Sequence, residues 1–193
     1  MGLNRYDEEY QDIAFDRHNS PPEGPRTAFR DCRFVGCDMT GMNMKNCLFS
    51  SCEFVRCNLS LLQVDGARFL EAAFQDCKLA GVNFALCDDF LLRLAFEECR
   101  LQQCSFAMLS MPGTGFRRCD IQACDFVQAD LTDADFSDSR LTGSLFDNTT
   151  LVRCNFRNAQ DYAIHVLRNR VAQATFTLPE AVALLAGLDI HLE

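Results

Sequence analysis

The segment CRFVGCDMTGMNMKNCLFSSCEFVRCNL, residues 32–59, decides the fold of this chain. It holds five cysteines within 28 residues, at positions 32, 37, 47, 52 and 57. Structural zinc sites cluster their ligands at short C-x2-4-C spacings with matching histidines or further thiolates. Here the cysteines are spaced by five or ten, and the histidines, at positions 18, 165 and 191, are scattered. The spacing predicts no metal site and requires another explanation.

That explanation is a repeat of large apolar residues at every fifth position. In the first half of the chain they are Phe29, Phe34, Met39, Met44, Phe49, Phe54, Leu59, Val64, Phe69, Phe74, Leu79 and Phe84. After an interruption they are Phe96, Leu101, Phe106, Met111, Phe116, Ile121, Phe126, Leu131, Phe136, Leu141, Phe146, Leu151 and Phe156. A small or apolar residue, most often Cys or Ala, stands two positions before each one. A spacing of two between inward residues is that of an extended chain, not of a helix. Each cysteine is therefore interpreted as a small buried hydrophobe.

A longer period of twenty residues groups these positions into columns. One column is Phe34, Phe54, Phe74, Phe96, Phe116, Phe136, Phe156 and Phe176, with two extra residues inserted between Phe84 and Phe96. A second is Met39, Leu59, Leu79, Leu101, Ile121 and Leu141, and a third is Met44, Val64, Phe84, Phe106, Phe126, Phe146 and Val166. Four pentads thus make one coil, which predicts an all-β solenoid with an aromatic core.

Disulfide bonds are not excluded by geometry. Cys37, Cys57 and Cys77 would stack at about 4.8 Å between coils, inside the Cα range of about 4.4–6.8 Å for a disulfide. The N-terminus MGLNRYDEEYQDIAFD is polar and acidic and resembles no secretory signal, and no apolar run approaches membrane-spanning length. We therefore expect a cytoplasmic protein that is not bound to a membrane and whose thiols are reduced.

The charge and the absence of catalytic motifs limit the function. A net charge of −9 and a pI near 4.8 argue against direct binding to nucleic acid, which requires a basic surface. The sequence has no glycine-rich phosphate loop, and each Cys and Asp has a structural role in the repeat. We expect a protein that is not an enzyme, needs no cofactor and binds a basic protein partner.

The units CRFVGCDMTG, CEFVRCNLS and CDIQACDFVQADLTDADFSDSRLTG resemble the pentapeptide-repeat family. The resemblance covers residues 27–176 and implies a right-handed quadrilateral β-helix. It leaves residues 1–26 as an N-terminal segment or cap and residues 177–193 as a C-terminal helix and strand, with the two-residue insertion near 88–94. The tail FTLPEAVALLAGLDIHLE and the segments CNLSLLQV and CKLAGVNF are similar to the branch of albicidin-resistance and Qnr-type proteins. That resemblance implies a homodimer that mimics DNA and acts on DNA gyrase, a type II topoisomerase.

The tail also has a pattern of its own. Thr177 and Glu180 form a capping box around Pro179, which predicts a helix from about Leu178 to Ala186 that ends at Gly187. Leu178, Val182 and Leu185 are expected to close the last coil, and Leu184 and Leu188 lie off that stripe. The predicted dimer interface consists of Leu178, Leu184, Leu185, Leu188, Ile190 and Leu192. A self-contained terminal cap is the alternative.

Two surfaces are candidate partner-binding sites. The first is an acidic coil of Asp120, Asp125, Asp130, Asp133, Asp135 and Asp138. It is either a local mimic of DNA charge or simply the favoured solvated residue of the repeat, since a full mimic of this length needs roughly 20 charges. The second is an apolar patch at the insertion, formed by Leu86, Phe90, Leu91, Leu92 and Met108. Phe90 is also a candidate for the inner slot that Asp89 cannot fill.

Three functions follow from these patterns. The first is a non-catalytic protein that engages DNA gyrase and protects it against a toxin or antibiotic. The second is an interaction scaffold for another basic protein. The third is direct sequestration of a small molecule, which a core filled with Phe disfavours because it leaves no cavity.

Overall fold

A computed structural model describes residues 6–188 of the chain. It is a parallel β-solenoid of short strands and isolated bridges, with two 3-10 helices. The strands are β1 (Glu8–Gln11), β2 (Ala14–Asp16), β3 (Thr27–Arg30), β4 (Arg33–Val35), β5 (Leu48–Ser50), β6 (Glu53–Val55), β7 (Arg68–Leu70), β8 (Ala72–Gln75), β9 (Lys78–Ala80), β10 (Leu94–Glu97), β11 (Arg100–Gln102), β12 (Gly115–Arg117), β13 (Asp120–Gln122), β14 (Asn155–Phe156) and β15 (Thr175–Phe176). The 3-10 helices span Phe84–Leu86 and Glu180–Gly187.

Strands of successive coils, nineteen to twenty-two residues apart, pair in parallel and form the sides of the solenoid. Strands β2, β4, β6, β8, β10 and β12 form side one, and β9, β11 and β13 lie on side two. Side three is built from isolated bridges such as Asn83 to Ser105. Side four begins with β1, β3, β5 and β7 and resumes with the bridge from Ser110 to Asp130. The predicted solenoid with four sides is confirmed.

The aromatic column of side one is confirmed as a continuous stack. Its rings lie 4.5–5.0 Å apart between centroids, with interplanar angles of 2–13°. Phe15 extends the column by one ring, 5.1 Å from Phe34, although the two residues are nineteen positions apart in sequence. Rings of side three meet this column edge to face, as Phe126 does with Phe116 at 5.6 Å. Both geometries are preferred by aromatic pairs, so the core combines burial with favourable ring contacts.

The third column ends earlier than predicted. Phe146 forms its bridge with Ile164, which is 3% exposed, whereas Val166 is only half-buried. The expected large slot at residue 161 holds an exposed aspartate, and the neighbouring Tyr162 is buried in its place. The assignment of Val166 to the column is therefore wrong, because this last coil departs from the regular spacing.

Where the small residue of a pentad has a polar side-chain atom, it also has a hydrogen-bonding role that the sequence did not reveal. The Cys77 thiol accepts the backbone N–H of Cys57 (3.4 Å) and donates to the Phe54 carbonyl (3.3 Å). Ser139, Ser144 and Asn169 make the same bridge in later coils, with the hydroxyl or amide in place of the thiol. These side chains satisfy backbone groups at the corners, where strand pairing stops. Cysteine is thus both a small core residue and a hydrogen-bonding group.

All twelve cysteines are free, and eleven of them are buried. Burial raises the pKa of the Cys52 and Cys154 thiols to about 12. Thiolate is the reactive form of cysteine. These thiols are therefore suited to packing and not to nucleophilic chemistry at neutral pH.

The C-terminal helix differs from the predicted one. It is a 3-10 helix with Pro179 at its N-cap, and no side chain caps it. The Thr177 hydroxyl instead accepts the backbone N–H of Asn158 at 2.8 Å, so the predicted capping box does not form. Within residues 6–188, no helix has the length and apolar character needed to cross a membrane.

Candidate interaction surface

The two-residue insertion lies on side four, between the first 3-10 helix (Phe84–Leu86) and strand β10. Leu92 is 6% exposed and fills the inner slot, whereas Phe90 and Leu91 are each 61% exposed. The idea that Phe90 fills this slot is wrong. Leu92, Leu94 and Phe96 all point inward, so the alternation of two that is seen on side one already begins within the insertion.

The exposed ring of Phe90 is held against the solenoid by a basic residue. The Arg68 guanidinium lies 5.3 Å from the Phe90 ring centroid, and it also pairs with Asp88 at 3.4 Å. A cation over an aromatic face contributes about 0.5–1 kcal/mol at exposed sites. The ring therefore projects into solvent from an anchored position.

Two further apolar side chains lie beside the insertion, at the corner between sides three and four. Leu86 and Met108 occupy equivalent positions of successive coils, since each follows by two residues one of the stacked rings Phe84 and Phe106. Leu86 is 51% exposed and Met108 is 70% exposed. We name Leu86, Phe90, Leu91 and Met108 the insertion patch. Four large apolar side chains exposed within two coils are typical of a partner-binding surface.

The six residues of the acidic coil are distributed around the solenoid. Asp120, Asp125, Asp130 and Asp135 follow one another on sides two, three, four and one, and Asp133 and Asp138 lie at corners. Three of the six pair with arginines, Asp120 with Arg100, Asp135 with Arg117 and Asp133 with Arg153. The hydrogen bonds from Arg153 lower the pKa of Asp133. The coil therefore presents no single acidic face.

Several of these aspartates also stabilise turns of their own pentads. The carboxylate of Asp130 accepts the backbone N–H and the hydroxyl of Thr132, at 3.0 and 2.6 Å. Asp125 and Asp135 accept the N–H of Val127 and Ser137 in the same way. Such turns are a structural reason for aspartate before each large residue.

The C-terminal helix exposes a different set of residues from the predicted one. Leu184 is half-buried and packs against the core, whereas Leu178 and Val182 are 78% and 44% exposed. Leu185 is half-buried, and Leu188 is 38% exposed. The assignment of Leu178 and Val182 to the closing stripe and of Leu184 to its outside is therefore wrong. Ile190 and Leu192 lie outside the described residues.

No group of three or more His, Cys, Asp or Glu side chains that could hold a metal ion occurs in the part of the chain that the structure describes. The arrangement offers turns, ion pairs and apolar side chains at its surface. Surface groups of these kinds can contact another macromolecule.

Parallel coils of pentads with an inward small residue and an inward large residue define a pentapeptide β-solenoid. The family model for the pentapeptide repeat region matches residues 24–84 and 87–156, and the chain belongs to this family. Between the two matched ranges only residues 85 and 86 are left out, directly before the insertion. No curated protein matches the sequence.

Solved structures with a similar fold have low sequence identity. Full-length QnrB1, a plasmid-mediated fluoroquinolone resistance protein, is 15% identical with a TM-score of 0.44, over 94% of this chain and 100% of its own. HetL, a pentapeptide-repeat protein involved in heterocyst differentiation regulation in the cyanobacterium Nostoc, is 12% identical with a TM-score of 0.34, over 86% and 85% of the two chains. Rfr23 from the cyanobacterium Cyanothece is 13% identical with a TM-score of 0.34, over 76% and 88%.

Proposed function

We propose that this protein is a non-catalytic, cytoplasmic binding protein that engages DNA gyrase and protects it against a toxin or antibiotic. The insertion patch is the observation that carries the binding role. Its four side chains are between 51% and 70% exposed, next to the point where the repeat is interrupted. In protein complexes a few anchor side chains contribute most of the free energy of association, and exposed large apolar patches are where such anchors are found.

The choice of gyrase as partner is supported by the resemblance of the tail and of two repeat segments to the gyrase-interacting branch of the family. Shape supports it further, because coils stacked at a rise of about 4.8 Å make a straight rod roughly 35 Å long. The net charge of the chain gives weaker support for a mimic of DNA. A rod of that length with the charge density of DNA carries roughly 20 negative charges, and this chain has −9 in total. The mimicry that we propose is therefore one of shape, with apolar contacts at the insertion patch.

The alternative is an interaction scaffold for another basic protein, unrelated to gyrase. It is favoured by the carboxylates of Asp125, Asp130 and Asp138, which form no ion pair with a described residue. They point in different directions, so a partner would have to wrap around the solenoid to contact all three.

A supercoiling assay with purified gyrase distinguishes the two functions. The wild-type protein is expected to restore supercoiling in the presence of a fluoroquinolone or albicidin. The variant F90S/L91S should require about tenfold more protein for the same effect, because it removes apolar anchors from the patch. Leu145→Ser is the matched control, since Leu145 is 59% exposed on side three and lies outside the patch. Equal loss in both variants contradicts the patch, and no effect of the wild type leaves only the scaffold.

We further propose that two copies associate through the C-terminal helix. Leu178, Val182 and Leu188 give it an apolar outer surface, and a second copy would cover that surface. About a two-fold axis, such a dimer is a rod roughly 70 Å long at the same rise per coil.

The double variant L178E/V182E is expected to be monomeric in sedimentation velocity experiments at concentrations where the wild type is dimeric, because it places two charges in the apolar contact. Leu61→Glu is the control, since Leu61 is 61% exposed in the N-terminal half of the solenoid, away from the C-terminal helix. A wild type that sediments as a monomer, or a double variant that remains dimeric, contradicts this interface.

A further inference from the structure

The hydrogen-bonded ladder of side four is interrupted on one side of the insertion. Residues 87–93 bond to the preceding coil, through the N–H of Asp88 to Ala67 O (2.9 Å) and of Arg93 to Phe69 O (3.0 Å). Among the described residues, no backbone hydrogen bond joins 87–93 to the following coil, residues 109–113. The other sides stay paired at this level, as in β8 with β10 and β9 with β11. The gap is therefore a slit in one side and not a break in the solenoid.

The following coil consequently presents unsatisfied main-chain groups. In the next coil, Asp130 donates to Leu109 O (2.9 Å) and accepts from Met111, and the Thr132 carbonyl accepts from Gly113 (2.7 Å). Ser110 and Pro112 are the equivalents of Asp130 and Thr132 one coil earlier. Within residues 6–188, the Ser110 N–H, the Ser110 carbonyl and the Pro112 carbonyl have no hydrogen-bonding partner. They form one donor and two acceptors with the spacing of a strand edge.

A cleft lies over these groups. It has a volume of about 560 Å³ and is lined by residues 89, 91–94, 110 and 112–114. Leu91, Leu92 and Pro112 make part of its wall apolar. Its size falls in the range of about 300–1,000 Å³ that is usual for ligand sites.

Asp89 gives the cleft a charge without a counterpart. It lines the cleft and is exposed, and it forms no ion pair with any described residue. The other charged residue of the lining, Arg93, pairs with Glu71 at 3.6 Å. A ligand that enters the cleft therefore meets a carboxylate at Asp89 that has no ion-pair partner among the described residues.

We propose that this cleft binds an extended peptide segment of a partner protein, which adds a short parallel strand to residues 109–113. The segment accepts a hydrogen bond from the Ser110 N–H and donates to the carbonyls of Ser110 and Pro112. It carries a Lys or Arg next to Asp89 and an apolar residue beside it, against Leu91 and Pro112. Addition of a strand to a free edge gives main-chain affinity, and the side chains give selectivity.

The first experiment uses the purified protein and the peptide acetyl-Val-Lys-Val-Thr-Val-amide, without gyrase, so its result is independent of the proposed function. Amide hydrogen exchange of Ser110 is followed by NMR. In the free protein this amide should exchange much faster than the equivalent amide of Asp130, and the peptide should slow it. A peptide with N-methyl groups on its second and third valines loses both donors and should bind at least about tenfold more weakly.

The matched variant removes Asp89 and Phe90. The remaining residues Cys87, Asp88, Leu91, Leu92 and Arg93 make a regular pentad with Leu91 in the large slot. This deletion should close the ladder, slow the Ser110 amide without peptide, and abolish binding.

A second variant, Asp89→Asn, retains the insertion and tests the charge. It should weaken the lysine peptide about two- to fivefold and leave unchanged the weaker binding of the same peptide with Gln in place of Lys. Three results overturn the proposal: a Ser110 amide as protected as that of Asp130 in the free protein, equal affinity of the methylated peptide, or equal affinity of wild type and Asp89→Asn for the lysine peptide.

Discussion

Replacing Phe136 with alanine is expected to lower the free energy of unfolding by about 3–5 kcal/mol. The ring is 0% exposed, and it stacks on Phe116 at 4.9 Å and on Phe156 at 5.0 Å. It also meets Phe126 and Phe146 nearly perpendicularly. The substitution removes all four ring contacts and leaves a cavity, which the hydrogen-bonded coils on either side cannot collapse to fill. Urea unfolding followed by circular dichroism measures the loss.

Ser137→Ala is the matched control, one residue further along the same side. Ser137 is half-buried, its side chain points outward, and among residues 6–188 only its backbone takes part in hydrogen bonds. Its replacement should change the free energy of unfolding by no more than about 0.5 kcal/mol. Similar losses in the two variants would show that the inward and outward positions of the pentad have been assigned incorrectly.

The columns of the core could be predicted because two periods coincide in the sequence. The period of two fixes which residues point inward, and the period of twenty fixes which of them stack. The register Phe34 to Phe54 to Phe74 follows directly from that arithmetic. Phe15 was missed because the chain reaches the next coil in nineteen residues, so its ring falls outside the arithmetic although it stacks in the same column.

The insertion could be located from the sequence, but its conformation could not. Seven residues span a side that five normally span, and either Phe90 or Leu92 could have been the inward residue. The alternation of Leu92, Leu94 and Phe96 was a usable signal for Leu92. The outward position of Phe90 is stabilised by contact of its ring with Arg68. That residue is more than twenty positions away in the sequence, so local spacing gave no sign of the contact.

The ion pairs of the acidic coil show how the same arithmetic could have been extended. Arg100 and Asp120 are twenty residues apart, as are Asp133 and Arg153. Reading the charged residues in columns of twenty would have shown that part of the acidic charge is compensated by the neighbouring coil. Exposed pairs of this kind contribute at most about 1 kcal/mol each to stability. Their effect here is on the surface field, because they divide the acidic coil into separate charges.

The tail was predicted less well because it leaves the repeat. Its helix contains two adjacent leucines, Leu184 and Leu185. Composition does not distinguish them, and the orientation of the helix on the last coil decides that Leu184 packs on the core. A helical period of 3.6 placed Leu178 and Val182 inward, whereas the structure has a 3-10 helix, in which the side-chain directions differ. The dimer test therefore uses Leu178 and Val182, which are exposed, and not Leu184, whose replacement would disturb the core.

Replacing Ser139 with alanine is expected to cost about 1–3 kcal/mol in the free energy of unfolding, although it removes a single oxygen. The Ser139 hydroxyl is buried, accepts the Cys119 N–H at 2.8 Å and donates to the Phe116 carbonyl at 2.5 Å. Without it, both backbone groups lose their partner in a corner where strand pairing supplies none. Ser139→Cys should recover much of the loss, because Cys99 bridges the corresponding groups of Cys77 and Phe74 at 3.4 and 3.3 Å.

Urea unfolding of the two variants, with amide exchange of Cys119, separates this role from simple packing. If the slot requires a hydrogen-bonding side chain, the order of stability is serine, cysteine, alanine, and the Cys119 amide is exposed to exchange only in the alanine variant. If the slot requires only a small residue, alanine matches serine in stability and the Cys119 amide stays protected. The second result would restore the interpretation of the twelve cysteines as small hydrophobes alone, whereas the first explains why Ser, Thr and Asn replace them in the later coils.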